Sequence, residues 1–161
     1  MKLLSIAATL VIALSAGVVI GGQVGILSGK TPENLGVNAG KLHPPSLNPN
    51  SVSSQAALYP EHPQREYASI SPLTYSGDGT AAMSKLALIL KSQKGTKLIT
   101  SQPDYLYAQS TTAVLKFTDD VEFWLDGQNS VIQVRSASRL GRKDFGVNRA
   151  RIEAIRAQFS S

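Results

Sequence analysis

Three acids lie within four residues, Asp119, Asp120 and Glu122, and a basic run follows them. In that run Arg135, Arg139, Arg142, Lys143, Arg149, Arg151 and Arg156 outnumber Asp144 and Glu153 by five, which is the whole formal charge of +5. Clustered carboxylates could hold a metal or do acid–base work, and clustered arginines could bind an anion. The plainer alternatives are a solvated helix face and internal ion pairs. Cysteine is absent, and the two histidines, His43 and His62, stand nineteen residues apart in a proline-rich stretch. This removes a thiolate nucleophile, a disulfide framework and a cysteine metal cluster, and it leaves a poor metal site. No metal and no cofactor are expected.

Strand alternation decides which acids can act together. Asp126-Gly127-Gln128-Asn129 separates two strand-like runs, and Asp-Gly is a strong hairpin signal. Pairing Leu125 with Ser130 sets Phe123 opposite Ile132, Val121 opposite Val134, Trp124 opposite Val131 and Glu122 opposite Gln133. Asp120 then faces Arg135 as a structural ion pair, while Phe117, Val121, Phe123 and Leu125 join Ile132 and Val134 in the core. Successive side chains point to opposite faces, so Asp119 is on the core side and Asp120 and Glu122 point away from it. The trio is therefore not one site. Asp119, with Ser136 opposite, needs a partner, because a buried acid must be paired or hydrogen-bonded. Arg139, Arg142 and Arg149 converge near a strand-to-helix turn whose free amides would suit an anion. The competing assignment is a salt-bridge cluster with Asp119 or Asp144. The candidate functional corner is Asp119, Ser136, Ser138, Arg139, Asp144, Asn148 and Arg149.

The elements that position this corner follow from hydrophobic spacing. Residues 1–27 carry one charge, Lys2, and Leu3 to Ile20 is uninterrupted by charge. That run is at the lower limit for a bilayer span, about 17–25 residues, and long for a signal-peptide core of about 7–15. A signal peptide or a membrane anchor is expected, with small-residue sites at Ser15-Ala16-Gly17 and Val19-Ile20-Gly21. Residues 28–66 form a Pro/Ser/Asn-rich extended segment, with Leu42, Leu47, Val52 and Leu58 as apolar anchors. Residues 67–161 form the folded domain. Tyr67–Pro72 reads as a short edge strand. Ser76 or Asp78 caps a helix in which Ala82, Met83, Leu86, Ile89 and Leu90 recur at helical spacing, with Gly95 as its stop. Two strands follow, near Lys97–Thr100 and Tyr105–Ala108, around Pro103-Asp104. Asp144 or Asn148 caps a last helix that buries Val147, Ile152, Ile155 and Phe159 and keeps Arg149, Arg151 and Arg156 on or beside its exposed face. The fold class is α+β: an antiparallel sheet of about four strands, two helices on one face, preceded by the hydrophobic and proline-rich segments.

FTDDVEFWLD (117–126) and then VIQVRSASRLGRKDFGVNRARIEAIR (131–156) resemble the signature of the domain-of-unknown-function 1499 family, DUF1499. LHPPSLNPNSVSSQ, SPLTY and YLYA are similar to its other blocks, so the resemblance runs from about Leu35 to Arg156. Asp119, Asp120, Glu122, Arg135, Ser136, Ser138, Arg139, Gly141, Asp144, Gly146, Asn148 and Arg149 match its motif. The resemblance implies bacterial or plastid proteins, often with a targeting or membrane segment, and no established activity. It also implies a cysteine near Pro45 and another at Ser51. Both are missing here, which fits a lost structural disulfide. A histidine and a glutamate are implied where Tyr107 and Gln109 stand, and an aromatic–serine pair where Arg142-Lys143 stands.

Three functions are compatible with these residues. The first is an exported or membrane-tethered, non-catalytic module that binds a small anionic ligand or a protein partner at the Asp119 corner. The second is an acid–base enzyme using Asp119 beside an arginine anion clamp. The third is a structural or assembly protein held at an acidic membrane surface by its basic face. The expected location is exported or membrane-anchored: periplasm, cell envelope or thylakoid lumen. A membrane is the expected partner through the N-terminal segment if it is not cleaved, and no nucleic acid is expected.

Overall fold

The computed structural model describes residues 2–160, with side chains given for Ile6 and from Leu10 onward. Helix α1 (Lys2–Gln23) comes first. The expectation for this segment is a signal peptide or a membrane anchor, and among the described residues no helix is long and apolar enough to cross a membrane. Strands β1 (Ser51–Ser53), β2 (Leu73–Thr74), β3 (Thr96–Ser101), β4 (Tyr105–Thr111), β5 (Thr118–Asp126) and β6 (Val131–Ser138) form one sheet in the order β1-β6-β5-β4-β3, with β2 also on β6. Every ladder is antiparallel.

The sheet is wider than the expected four strands because the proline-rich stretch supplies part of it. Proline cannot donate to a ladder. Ser51–Ser53, however, lies between Pro49 and Pro60, and three proline-free residues suffice for an edge strand. In this stretch Leu42 and Val52 are buried, while Leu47 and Leu58 are exposed. Residues 65–68 form one helical turn, α2 (Arg65–Ala68), where the sequence reads as the start of an edge strand. Between it and Thr74, the pairing with the sheet is a single Ser53–Ser69 bridge and the two residues of β2.

Helix α3 (Gly79–Ser92) starts where the cap signal places it: the Asp78 carboxylate accepts from the Thr80 amide at 2.9 Å. Met83, Leu86 and Leu90 are buried on its inner face. Helix α4 (Val147–Ser160) buries Ile152, Ile155 and Phe159, but Val147 at its first position stays exposed. Both helices cover one face of the sheet. There they enclose Val52, Leu106, Ala108, Val121, Phe123, Ile132 and Val134.

The central hairpin keeps the expected faces and changes the expected partners. Leu125 pairs with Ile132, Phe123 with Val134, Val121 with Ser136, Glu122 with Arg135, Asp120 with Ala137 and Asp119 with Ser138. A slip of two residues preserves every side chain's face, whereas a slip of one would have inverted it. The cause is Asp126. It is the last paired residue, opposite Val131, rather than the first turn residue. Its carboxylate accepts from the Asn129 amide at 3.2 Å, from Asn129 Nδ2 at 2.8 Å and from Gln133 Nε2 at 3.0 Å. Ser130 takes the left-handed conformation (φ 53°) that closes the turn.

Candidate functional site

The core face ends in a polar cluster at the junction of β5, β6 and α4. Arg151 Nη2 donates to Asp119 Oδ2 at 2.5 Å, and Arg151 Nη1 donates to Ser136 Oγ at 3.0 Å and to Asn148 Oδ1 at 2.7 Å. Ser136 Oγ donates to the same Asn148 Oδ1 at 2.5 Å. Asn148 Nδ2 donates to Ser138 Oγ, to the Asn50 carbonyl and to Asp144 Oδ2, all within 3.1 Å. Asp144 receives the amides of Gly146 and Asn148 at 3.1 Å each, and the Tyr67 hydroxyl donates to it as well. Asp144 is thus the cap of α4, and Asn148 is a buried link inside it. Burial opposes ionisation of Asp144, but its donors from Tyr67, Asn148 and the two amides outweigh burial and hold its pKa below the ordinary value.

This cluster unites Asp119, Ser136, Ser138, Asp144 and Asn148 from the sequence-derived corner, leaves Arg149 at its edge beside Tyr67, and separates Arg139 from it. Arg139 lies on the opposite face of the sheet. Arg149 is half-buried and donates to the Tyr67 carbonyl at 2.6 Å. Arg151 and Tyr67 were not among the expected members. Arg151 stands three residues after Asn148, on the flank of the Ile152–Ile155 stripe, where helical spacing alone does not show that it faces Asp119. Tyr67 carried no comparable signal, because its segment reads as a strand.

The opposite face is also buried, and it is charged. Asp120 pairs with Arg139, not with Arg135: Arg139 Nε reaches Oδ2 at 2.9 Å and Nη2 reaches Oδ1 at 2.7 Å. Arg135 Nη1 instead holds Glu122 Oε2 at 3.0 Å. Tyr107 donates to Asp120 at 2.6 Å, Gln109 donates to Tyr107 at 2.9 Å, and Tyr105 donates to Glu122 at 2.8 Å. The hydrogen bonds that Arg139 donates to Asp120 raise the Arg139 pKa above its ordinary value, against the opposing effect of burial. Residues 29–44 cover this layer as a strap. Gly36 donates its amide to Glu122 Oε1 at 2.8 Å, the Pro44 carbonyl accepts from Arg135 Nε at 3.3 Å, and Gly40 packs against Trp124. Among the described residues no group of three or more His, Asp or Glu side chains could hold a metal ion.

A cavity of about 280 Å³ opens beside the first cluster. Thr118, Asp119, Ser138 and Asp144 line its inner side, Phe117, Leu140, Phe145 and Val147 supply apolar walls, and Lys143 reaches its rim. Phe145 is 92% exposed and adopts φ 52°, next to Gly146 at φ 83°. A bulky residue rarely adopts that conformation. The turn lets Asp144 tuck under the first amides of α4 while the ring of Phe145 is left outside.

A family model described as "Protein of unknown function (DUF1499)" matches residues 41–159. The chain belongs to the DUF1499 family. No curated protein and no solved structure matches it. Tyr107 and Gln109, where the resemblance implies a histidine and a glutamate, meet on the charged face at the Asp120–Arg139 pair. Ser51, where the resemblance implies a cysteine, is buried and accepts from the Ser46 amide at 2.8 Å, which sets it beside the backbone following Pro45.

Proposed function

We propose that this DUF1499 protein is a non-catalytic binding module. Its ligand seat is the cavity walled by Phe117, Leu140, Phe145 and Val147, and its ligand is a small, mainly apolar molecule with an anionic end. The observation that carries this reading is the contrast between floor and walls. The floor groups Asp119, Ser138 and Asp144 are engaged by Arg151, Asn148 and Tyr67. The walls present apolar surface to solvent, with Phe145 the most exposed. Fixed polar groups beneath unsatisfied apolar surface make a preorganised seat. The volume lies just below the range of about 300–1,000 Å³ for ligand pockets, which favours a compact ligand. Lys143 at the rim is the cation for an anionic end, in place of Arg139 and Arg149.

Asp119 as a catalytic acid or base is the weaker reading, because Arg151 occupies its Oδ2. A proton-transfer group needs a free approach to the reacting atom. The module is proposed to act after export or at a membrane, since α1 presents Leu10, Val11, Ile12, Leu14 and Ile20 to solvent. Recovery of the intact chain in a soluble cytosolic fraction would rule that location out.

Calorimetric titration of the full chain with decanoate tests the seat. Binding is expected, weakened at least about tenfold by Phe145→Gly, which removes a wall without opposing the backbone conformation. Absence of binding to the native chain, or equal affinity in the variant, would overturn the assignment.

A further inference from the structure

We infer that the sheet end carrying the cavity docks on the surface of an anionic lipid bilayer. Two loops build that end: residues 112–117 between β4 and β5, and residues 139–146 between β6 and α4. The Asp119–Ser138 pairing and the bond from the Arg139 amide to the Thr118 carbonyl hold them side by side. Val114 projects from the first loop, Leu140 and Phe145 from the second, and Val147 lies next to them, all exposed. Arg142 and Lys143 are exposed on the second loop, and Lys116 is half-buried on the first.

The acids of this region do not offset those cations at the surface. Asp119, Asp120 and Asp144 are all buried, and they accept from Arg151, Arg139 and Tyr67 respectively. The outward charge of the two loops is therefore cationic. An aromatic ring and aliphatic side chains flanked by cations match the headgroup–acyl boundary of an anionic membrane. There the apolar groups enter the boundary and the cations stay at phosphate level.

Helix α1 selects a bilayer over a soluble acidic partner. Its C-terminal end is fastened to the first loop: Gln23 Nε2 donates to the Val114 carbonyl at 2.8 Å. A Cβ on Gly22 would come within 2.5 Å of the Leu115 carbonyl oxygen, so only glycine permits this approach. Beyond it, Gly29 packs on Arg139 and Leu140. An exposed apolar helix fastened to a cationic, aromatic-tipped end gives the molecule one continuous surface of membrane-compatible chemistry. Docking of this kind does not require the helix to cross the bilayer, nor the cavity to hold a ligand.

The test uses the full chain carrying Phe145→Trp, with the unsubstituted chain as reference for Trp124 emission. On phosphatidylcholine vesicles containing phosphatidylglycerol, the indole at position 145 is expected to shift to the blue and to be quenched by brominated lipid. Both effects should fall as salt rises. Adding Arg142→Ala and Lys143→Ala should weaken the partition behind this signal roughly thirty-fold, since two surface cations are lost. No shift on the anionic vesicles, an equal shift on phosphatidylcholine alone, or a signal indifferent to the double substitution would each overturn the proposal. Titrating the unsubstituted chain with decanoate in the absence of vesicles reports the cavity separately, so failure of one assignment is distinguishable from failure of the other.

Discussion

Asp120 is 1% exposed and receives both arms of the Arg139 guanidinium. Removing one partner of such a pair leaves a buried charge without compensation, which typically costs about 3–5 kcal/mol. Arg139→Ala should therefore lower the urea midpoint by an amount equivalent to that range. A loss below about 1 kcal/mol would show that water or Tyr107 compensates for the arginine. At this scale the sequence was informative about faces and poor about partners. Alternation placed Asp119 on the core side and Asp120 on the other, and both placements hold. It did not reveal that the second face is covered, because the strap over Glu122 comes from residues 29–44, far away in the chain. Nor did it pair Asp119 with Arg151, because a long arginine on the flank of a helix reads as solvated until the facing strand is known.

Asp126 decides the register of the central hairpin. Its carboxylate collects three donors from the turn and from Gln133. Burial works against its ionisation, but the donors from Asn129 and Gln133 prevail and lower its pKa. Asp126→Ala should cost about 1–3 kcal/mol in chemical denaturation. Its stabilising effect in the native chain should be complete above the ordinary aspartate pKa, near 3.9, and fade as pH falls below it, because a depressed folded-state pKa means the unfolded state binds the proton first. A variant as stable as the native chain at neutral pH would assign the register to the β5–β6 side chains instead. The Asp-Gly signal located the turn correctly but not its closing pair, since it is silent about a carboxylate that bonds forward across the loop. Helices α3 and α4 were legible because cap and stripe agree: Asp78 with Met83, Leu86 and Leu90, and Asp144 with Ile152, Ile155 and Phe159. Strand β1 was not legible, because three residues carry no periodicity against a background of prolines.

The whole molecule is a sheet with an apolar face under two helices and a charged, tyrosine-rich face under a strap. The tyrosines give this arrangement a pH signature. Burial, followed by the charge and hydrogen bond of Glu122, pushes the Tyr105 pKa above its ordinary value of 10.0. Burial and the Asp120 hydrogen bond do the same for Tyr107. A raised folded-state pKa contributes stability that is present in full below about pH 10 and is lost as pH rises further. The melting temperature should fall above that pH, and Tyr105→Phe with Tyr107→Phe should flatten the decline. An unchanged alkaline limb in the double variant would place its origin elsewhere. The assignment of a ligand seat to the 139–147 end is tested most directly by amide chemical-shift mapping of the full chain titrated with decanoate. Shifts centred on Phe117, Leu140, Phe145 and Val147, with the amides of the strap unmoved, are the expected result. Shifts centred on residues 34–44, or none at saturating decanoate, would contradict it.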